Sequence, residues 1–127
     1  MFETLEQQFV EVVERVVPCV VSVSTTKLAR VQLSRIIPVK GQGSGVILSD
    51  SGYIVTNAHV VDSARDVEVS LHDGQTFKAV VVGESKIRDL AILKIEAENL
   101  VPIEMGDSSA LKVGQFAIAV GNPLGLG

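Results

Sequence analysis

One histidine and one aspartate of this sequence occupy positions from which they could form a proton-transfer pair. His59 lies in the segment TNAHVV at residues 56–61, in which Asn57 is a good N-cap for a helical turn that would hold the imidazole rigidly. Asp89, thirty residues later, begins the very apolar segment DLAIL, and a carboxylate at such a boundary needs a hydrogen-bond donor. A histidine Nδ1–H is such a donor, and the aspartate would fix the imidazole tautomer. The spacing allows this pair, although each residue taken alone is more typical of a structural role.

The serines of the chain do not offer a nucleophile for this pair. Ser44 lies between two glycines, but Gln42 and Val46 occupy the places two residues away where a nucleophile elbow needs glycine. Asp107 predicts a cap for a short helical turn through the two serines that follow it. Three further serines fall within predicted strands, at positions 22, 24 and 70.

Two other reactive side chains are interpreted as structural or solvated. Cys19 follows a proline in an apolar stretch, where burial raises the pKa of a thiol and makes it inert. His72 stands beside Asp73-Gly74, a strong hairpin-turn signal, so we expect its ring to face solvent. The glycine-rich segments 41–45 and 121–127 lack the residues of a phosphate loop and the spacing of a dinucleotide loop.

An N-terminal helix is predicted over residues 2–17. Apolar residues recur at the three- and four-residue spacing of one helical face, while glutamates and glutamine cover the other. Pro18 ends the pattern. The helix could pack on its own domain or act as an arm for contacts between subunits, and the sequence leaves both alternatives open.

After Pro18 the pattern changes to strands, and we divide the chain into a helix over 1–18 and a β domain over 19–127. Six or seven short strands are predicted, with glycine or aspartate turns and no long helix between them; they lie near 20–26, 46–49, 53–56, 67–71, 77–83, 90–95 and 115–121. Residues 27–40 have little periodicity and are interpreted as a connector. This arrangement favours an all-β antiparallel barrel or sandwich over a parallel α/β sheet.

Composition excludes several classes of protein. The chain has 127 residues, near the modal domain size, and 46% hydrophobic with 20% charged residues excludes general disorder. Eleven lysines and arginines against fifteen acids give a net charge of −4, which argues against a nucleic-acid partner. A single cysteine excludes an internal disulfide, and one cysteine with two distant histidines makes no structural metal site. No apolar run approaches the roughly 20 residues that span a bilayer.

Several blocks of the sequence, taken together, are similar to one protein family. They occur in the same order and spacing as in the high-temperature-requirement (HtrA, or Deg) family of trypsin-like serine proteases, and the longest are GSGVIL at 43–48, GYIVTNAHVV at 52–61, DLAILKI at 89–95 and AVGNPLG at 119–125. The resemblance implies two perpendicular six-stranded β-barrels, of which this chain is the first. It also implies His59 as general base, Asp89 as its orienting acid, and no metal or organic cofactor.

The same resemblance shows which family feature these residues do not contain. The family's nucleophile lies in a Gly-Asn-Ser-Gly-Gly type motif of the second barrel, and no such motif occurs between residues 1 and 127. We therefore expect this chain alone to lack peptidase activity. The rival hypothesis is a non-catalytic β-barrel module that binds peptides or assembles with itself.

Partners and compartment follow from the resemblance only in outline. It suggests unfolded proteins or peptides as substrates, and an apolar face over residues 117–126 predicts a homo-oligomer. The family is often extracytoplasmic. The first residues, MFETLE, lack the basic start and apolar stretch of a signal peptide, which leaves an intracellular chain or a processed segment missing from this sequence.

Overall fold

An amphipathic helix opens the chain. The computed structural model describes residues 1–121, and in it α1 spans Phe2–Val16 and continues into one 3₁₀ turn, Val17–Cys19. Pro18 lies in the first turn of that 3₁₀ segment, where its missing N–H costs nothing. No residue of α1 is buried, but the ring of Phe9 meets the ring of Phe116 edge-on, with centroids 5.7 Å apart. The helix therefore contacts its own chain through part of its apolar face and exposes the rest.

Six strands follow and close into an antiparallel barrel. They are β1 (Val20–Val31), β2 (Arg35–Ile47), β3 (Tyr53–Thr56), β4 (Ala64–Ser70), β5 (Thr76–Ser85) and β6 (Leu90–Ile95). Their order around the barrel is β1-β2-β3-β6-β5-β4, and every neighbouring pair is antiparallel. This confirms the all-β, six-stranded barrel with one N-terminal helix. A single helical turn, α2 (Ala58–Val61), connects β3 to β4.

Aliphatic side chains fill the barrel. Alternate residues of the strands point inward because successive side chains of a strand face opposite sides. The largest fully buried side chains are all aliphatic apart from one threonine: Ile47, Ile54, Leu93, Ile95, Val21, Val23, Val69 and Thr25. A chain with 4% aromatic residues thus builds its core mostly from β-branched residues, which suit the curved interior of a narrow barrel.

The interpretation of residues 27–40 as a connector is wrong. β1 runs on to Val31 and β2 begins at Arg35, so most of this segment is paired strand with Gln32 at positive φ in its turn. No alternation marks these strands in the sequence because exposed aliphatic residues stand on both faces of the pair, such as Leu28 and Val31.

The strand predicted over 115–121 is also wrong for this chain. Residues 115–121 form no strand, and Phe116 and Ile118 are exposed at 76% and 42%. In the wall of the closed barrel every strand is paired on both sides, so an extra segment finds no free edge there. The apolar face predicted over 117–126 is therefore exposed as far as it is described, and its residues 122–126 lie outside the described part of the chain.

Within residues 1–121, no helix is long and apolar enough to cross a membrane.

Candidate active site

The helical turn α2 carries His59, and contacts with the barrel hold this turn in place. Its Ala58 and Val61 are buried in the barrel wall, at 2% and 4% exposure. Val60 lies against β2, where a Cβ at Gly43 would come within 2.7 Å of its side chain. Lys27 of β1 donates to the backbone carbonyl of His59 at 3.4 Å. These contacts fix the turn while the imidazole itself stays 71% exposed.

Asp89 lies at the end of the turn between β5 and β6. Its backbone has φ of +54°, in the left-handed region that few residues other than glycine adopt. Leu90 then begins β6, which is paired on both sides inside the barrel wall. The strand therefore fixes the position of the aspartate, and the left-handed residue sets the direction of its side chain.

His59 and Asp89 meet through both carboxylate oxygens. Asp89 Oδ2 lies 2.7 Å from His59 Nδ1, and Asp89 Oδ1 accepts from the His59 backbone N–H at 2.8 Å. The hydrogen bond from the backbone N–H, followed by the one from the ring, lowers the pKa of Asp89. The carboxylate is thus held ionised and aligned on Nδ1, which leaves Nε2 as the nitrogen free to exchange a proton.

The helical cap is made differently from the sequence prediction. Asn57 occupies the N-cap position of α2, but its side chain makes no capping hydrogen bond there. The Asp89 carboxylate accepts from the N–H of the first turn instead, and Asn57 Nδ2 donates to the Asp89 backbone carbonyl at 3.0 Å. Each segment therefore supplies the polar group that the other needs, and Asn57 is a site residue whose role sequence reasoning missed.

A shallow cleft of about 190 Å³ borders the pair. Besides Ala58, His59 and Asp89, it is lined by Asp62, Glu84 and Lys86. Lys86 forms an exposed ion pair with Asp62, with 3.5 Å between Nζ and Oδ1. The cleft is open to solvent and bordered by charged side chains, so a substrate segment could approach the imidazole. No group of three potential metal ligands occurs in the described part of the chain.

The remaining reactive residues lie where the sequence predicted. Asp107 caps the 3₁₀ turn Ser108–Ala110, accepting from the N–H of Ser109 at 3.0 Å and from its hydroxyl at 2.6 Å. Cys19 is 3% exposed, and burial raises the pKa of its thiol. His72 is exposed beside the hairpin turn in which Gly74 has positive φ.

The carbonyl of Ser44 accepts from the Thr56 hydroxyl at 2.7 Å inside the sheet. Ser22 is 6% exposed on β1. Both serines belong to the barrel wall, as predicted for Ser22, whereas Ser44 lies in β2 rather than in a glycine-rich segment before the strand.

Comparison with known protein families shows which family the chain belongs to. Residues 43–127 match the family described as the trypsin-like peptidase domain. The chain belongs to this family. The match contains α2, the turn before β6 and the whole His59–Asp89 pair, so the site described above lies within it.

Individual relatives narrow the family to its HtrA/Deg group. The chain is 52% identical over 84 residues to a probable periplasmic serine endoprotease DegP-like of Halomonas elongata, covering 66% of this chain and 18% of that protein. It is 53% identical over 90 residues to the putative serine protease HhoA of Synechocystis, covering 69% and 23%. The solved structure of the HtrA-type protease AlgW with a tripeptide superposes with a TM-score of 0.82 at 36% identity, covering 94% and 36%. The chain spans about a fifth of the length of these curated relatives.

Proposed function

We propose that this chain supplies the general base and the orienting acid of an HtrA-like serine endopeptidase. The observation that carries the proposal is the two-point contact between one carboxylate and one histidine, through Nδ1 and through the backbone N–H. A structural aspartate needs only one of these contacts to cap α2. The second contact orients the ring, which matters when the ring must transfer a proton.

The pair's geometry defines the part each residue would play. With Nδ1–H donating to Asp89, the lone pair of His59 is on Nε2 and can accept the proton of an attacking hydroxyl. The imidazolium that forms is stabilised by the adjacent carboxylate, which stays ionised. His59 then donates the same proton from Nε2 to the leaving amine, and the neutral ring returns to its starting tautomer. Asp89 gains no proton in this sequence of steps.

We further propose that the serine nucleophile and the oxyanion-hole donors lie outside residues 1–127. Ser109 donates its hydroxyl to Asp107, and the strand serines belong to the barrel wall. Without a nucleophile and an oxyanion hole, the covalent route and most of the charge stabilisation are missing. The 127-residue chain alone is therefore expected to be inactive on casein and unreactive toward a fluorophosphonate probe. Reaction that survives removal of host proteases would contradict this.

Peptide segments of unfolded proteins are the substrate class we propose. The AlgW structures that superpose on this chain contain a tripeptide or a decapeptide. In this chain the open cleft beside His59 exposes the imidazole, as an extended peptide would require. Because some relatives are described as periplasmic, we propose an extracytoplasmic compartment for the working enzyme.

A chimaera tests the catalytic assignment. Residues 43–121 replace the matching segment of the Halomonas DegP-like protein, and the chimaera is assayed for casein cleavage. We expect activity in the chimaera and a loss of about 10⁶-fold on His59→Ala and about 10⁴-fold on Asp89→Asn. The matched control is His72→Ala, which removes an exposed histidine on a different turn and should leave the rate unchanged.

The controls separate the possible outcomes. An active chimaera that keeps its rate after His59→Ala would refute the assignment. A folded chimaera without activity, judged by circular dichroism, would favour a barrel that assembles or binds peptides without catalysis.

A further inference from the structure

The hairpin between β1 and β2 continues past the barrel wall. β1 pairs with β4 only as far as Lys27, and β2 pairs with β3 only from Gly45 onward. Between these points the two strands pair with each other alone, up to the register Val31↔Arg35. We call residues 28–39 the ribbon. Two-stranded ribbons with both edges unpaired are marginal in water, so a surface that covers this one would stabilise it.

The ribbon differs in net charge from the rest of the molecule. The ribbon contains Arg30 and Arg35, and with the flanking Lys27 and Lys40 the segment 27–40 contains four of the eleven lysines and arginines and none of the fifteen acids. The remaining seven cations and fifteen acids leave the other residues at −8, against +4 for this segment. In the described part of the chain, neither Arg30 nor Arg35 forms an ion pair within 4.0 Å. Both guanidinium groups are therefore available to an anionic partner.

Exposed aliphatic side chains accompany these cations. Leu33 at the tip is 98% exposed, and four others are between 38% and 55% exposed: Leu28, Val31, Ile36 and Val39. Cross-strand register places Arg30 opposite Ile36 on one face and Arg35 opposite Val31 on the other. Each face of the ribbon thus combines one arginine with aliphatic surface.

This distribution favours a bilayer surface over a macromolecule. A folded protein partner would cover one face of the ribbon and leave the aliphatic residues of the other in water. Nucleic acid would satisfy the arginines but not the exposed leucine at the tip. The interface of an anionic bilayer surrounds an inserted ribbon, so phosphates meet both arginines while the aliphatic side chains leave water.

We propose that the ribbon docks this protein on anionic lipid bilayers, with Leu33 inserted among the headgroups and Arg30 and Arg35 on lipid phosphates. The acidic remainder of the molecule is repelled by the same surface, which orients the chain with its ribbon toward the membrane. The proposal is independent of catalysis, because no ribbon residue takes part in the hydrogen bonds of the His59–Asp89 pair or lines the cleft beside it.

Cosedimentation of the 127-residue chain with vesicles tests the proposal. Vesicles of phosphatidylcholine alone are compared with vesicles that also contain phosphatidylglycerol. We expect binding only to the second kind, weakened by added salt. Replacing both arginines, Arg30→Gln with Arg35→Gln, should weaken binding about 25-fold, since each cation near the surface contributes about fivefold. Leu33→Ser should weaken it about tenfold.

Two substitutions outside the ribbon serve as matched controls. Val113→Ser changes an equally exposed aliphatic residue, and Lys112→Gln removes an exposed cation next to it. Both should bind like the unaltered chain. The proposal is overturned if phosphatidylglycerol vesicles bind no protein, or if the controls lose as much binding as the ribbon variants. It is also overturned if the chain forms a dimer without vesicles and the ribbon variants only convert that dimer to monomer while they still bind vesicles.

Discussion

Replacing Gly43 by alanine should disturb α2 through one close contact. Gly43 lies in β2 beneath that turn, and a Cβ there would come 2.7 Å from one methyl of Val60 and 3.0 Å from the other. Carbon atoms pack at about 3.5–4.0 Å, so Val60 or the whole turn must move. Since Val60 follows His59 within a single helical turn, the movement is transmitted to the His59–Asp89 pair.

A second glycine isolates the cost of this contact. Overpacking a core position costs about 1–3 kcal/mol, and losing glycine's freedom in the unfolded chain returns about 0.4–1 kcal/mol. Gly83 also lies in a strand, but a Cβ there would have Ile92 as its nearest neighbour at 3.9 Å. Gly83→Ala shares the entropic gain and lacks the clash. We therefore expect Gly43→Ala to be less stable than Gly83→Ala by about 1–3 kcal/mol.

Urea unfolding followed by far-ultraviolet circular dichroism measures this difference, because the chain has no tryptophan and one tyrosine. Proton–nitrogen spectra of the imidazole report on the pair, and the His59 resonances should shift in Gly43→Ala but not in Gly83→Ala. Equal stabilities within about 0.5 kcal/mol, with unchanged His59 resonances, would refute the reasoning. Val60 would then rotate freely, and the close approach of β2 would not set the position of α2.

Four further predictions concern the pair, the thiol, the core and the assembly. Because hydrogen bonds from His59 lower the folded-state pKa of Asp89, its stabilising effect is present above the unfolded pKa of about 3.9 and is lost as pH falls through the folded value. Carbon-13 titration should show the Asp89 pKa rise only part of the way in His59→Ala, since the backbone N–H remains. Cys19 should react with Ellman's reagent far more slowly in the folded chain than in urea, because burial both hides the thiol and raises its pKa. Leu93→Ala should cost about 2–5 kcal/mol in urea unfolding, since its fully buried side chain would leave a cavity. Light scattering at micromolar concentration should show self-association through the exposed faces of α1 and of residues 116–118. A 13.5 kDa monomer, unchanged by deletion of residues 1–17, would contradict the last of these.

The barrel was predictable from sequence where one face of each strand is buried. Strands such as β4 alternate, with Val67 and Val69 inward and the charged Glu68 between them, so the pattern predicts the strand directly. The ribbon carries no such pattern because neither of its faces is buried. The apolar segment 115–121 misled the prediction for the opposite reason, since its composition suits a strand but the wall of the closed barrel offers no free edge to pair with.

The two residues of the candidate site were predictable from the sequence, but the hydrogen bonds that hold them in position were not. Residue types and positions alone indicated that His59 and Asp89 could pair, and the structure brings them to 2.7 Å. The contribution of Asn57 could not be found in this way. An asparagine before a helical turn normally caps that turn, and only the fold shows that the capping site is already filled by a carboxylate from thirty residues away.

This exchange of caps explains why the site needs an aspartate in that place. Asp89 must adopt a left-handed backbone, and aspartate and asparagine are the non-glycine residues that do so most readily. Its carbonyl is held by Asn57 in that conformation, and its short side chain then reaches both the N–H of α2 and the ring nitrogen. Glycine would adopt the left-handed backbone conformation but would supply no carboxylate. Glutamate would supply a carboxylate, but one methylene farther from the backbone than these contacts require. Asparagine would keep the backbone and could cap α2, but without a charge to stabilise the imidazolium. Conformation and chemistry thus select the same residue, and the turn before β6 positions a base that lies on a different segment of the chain.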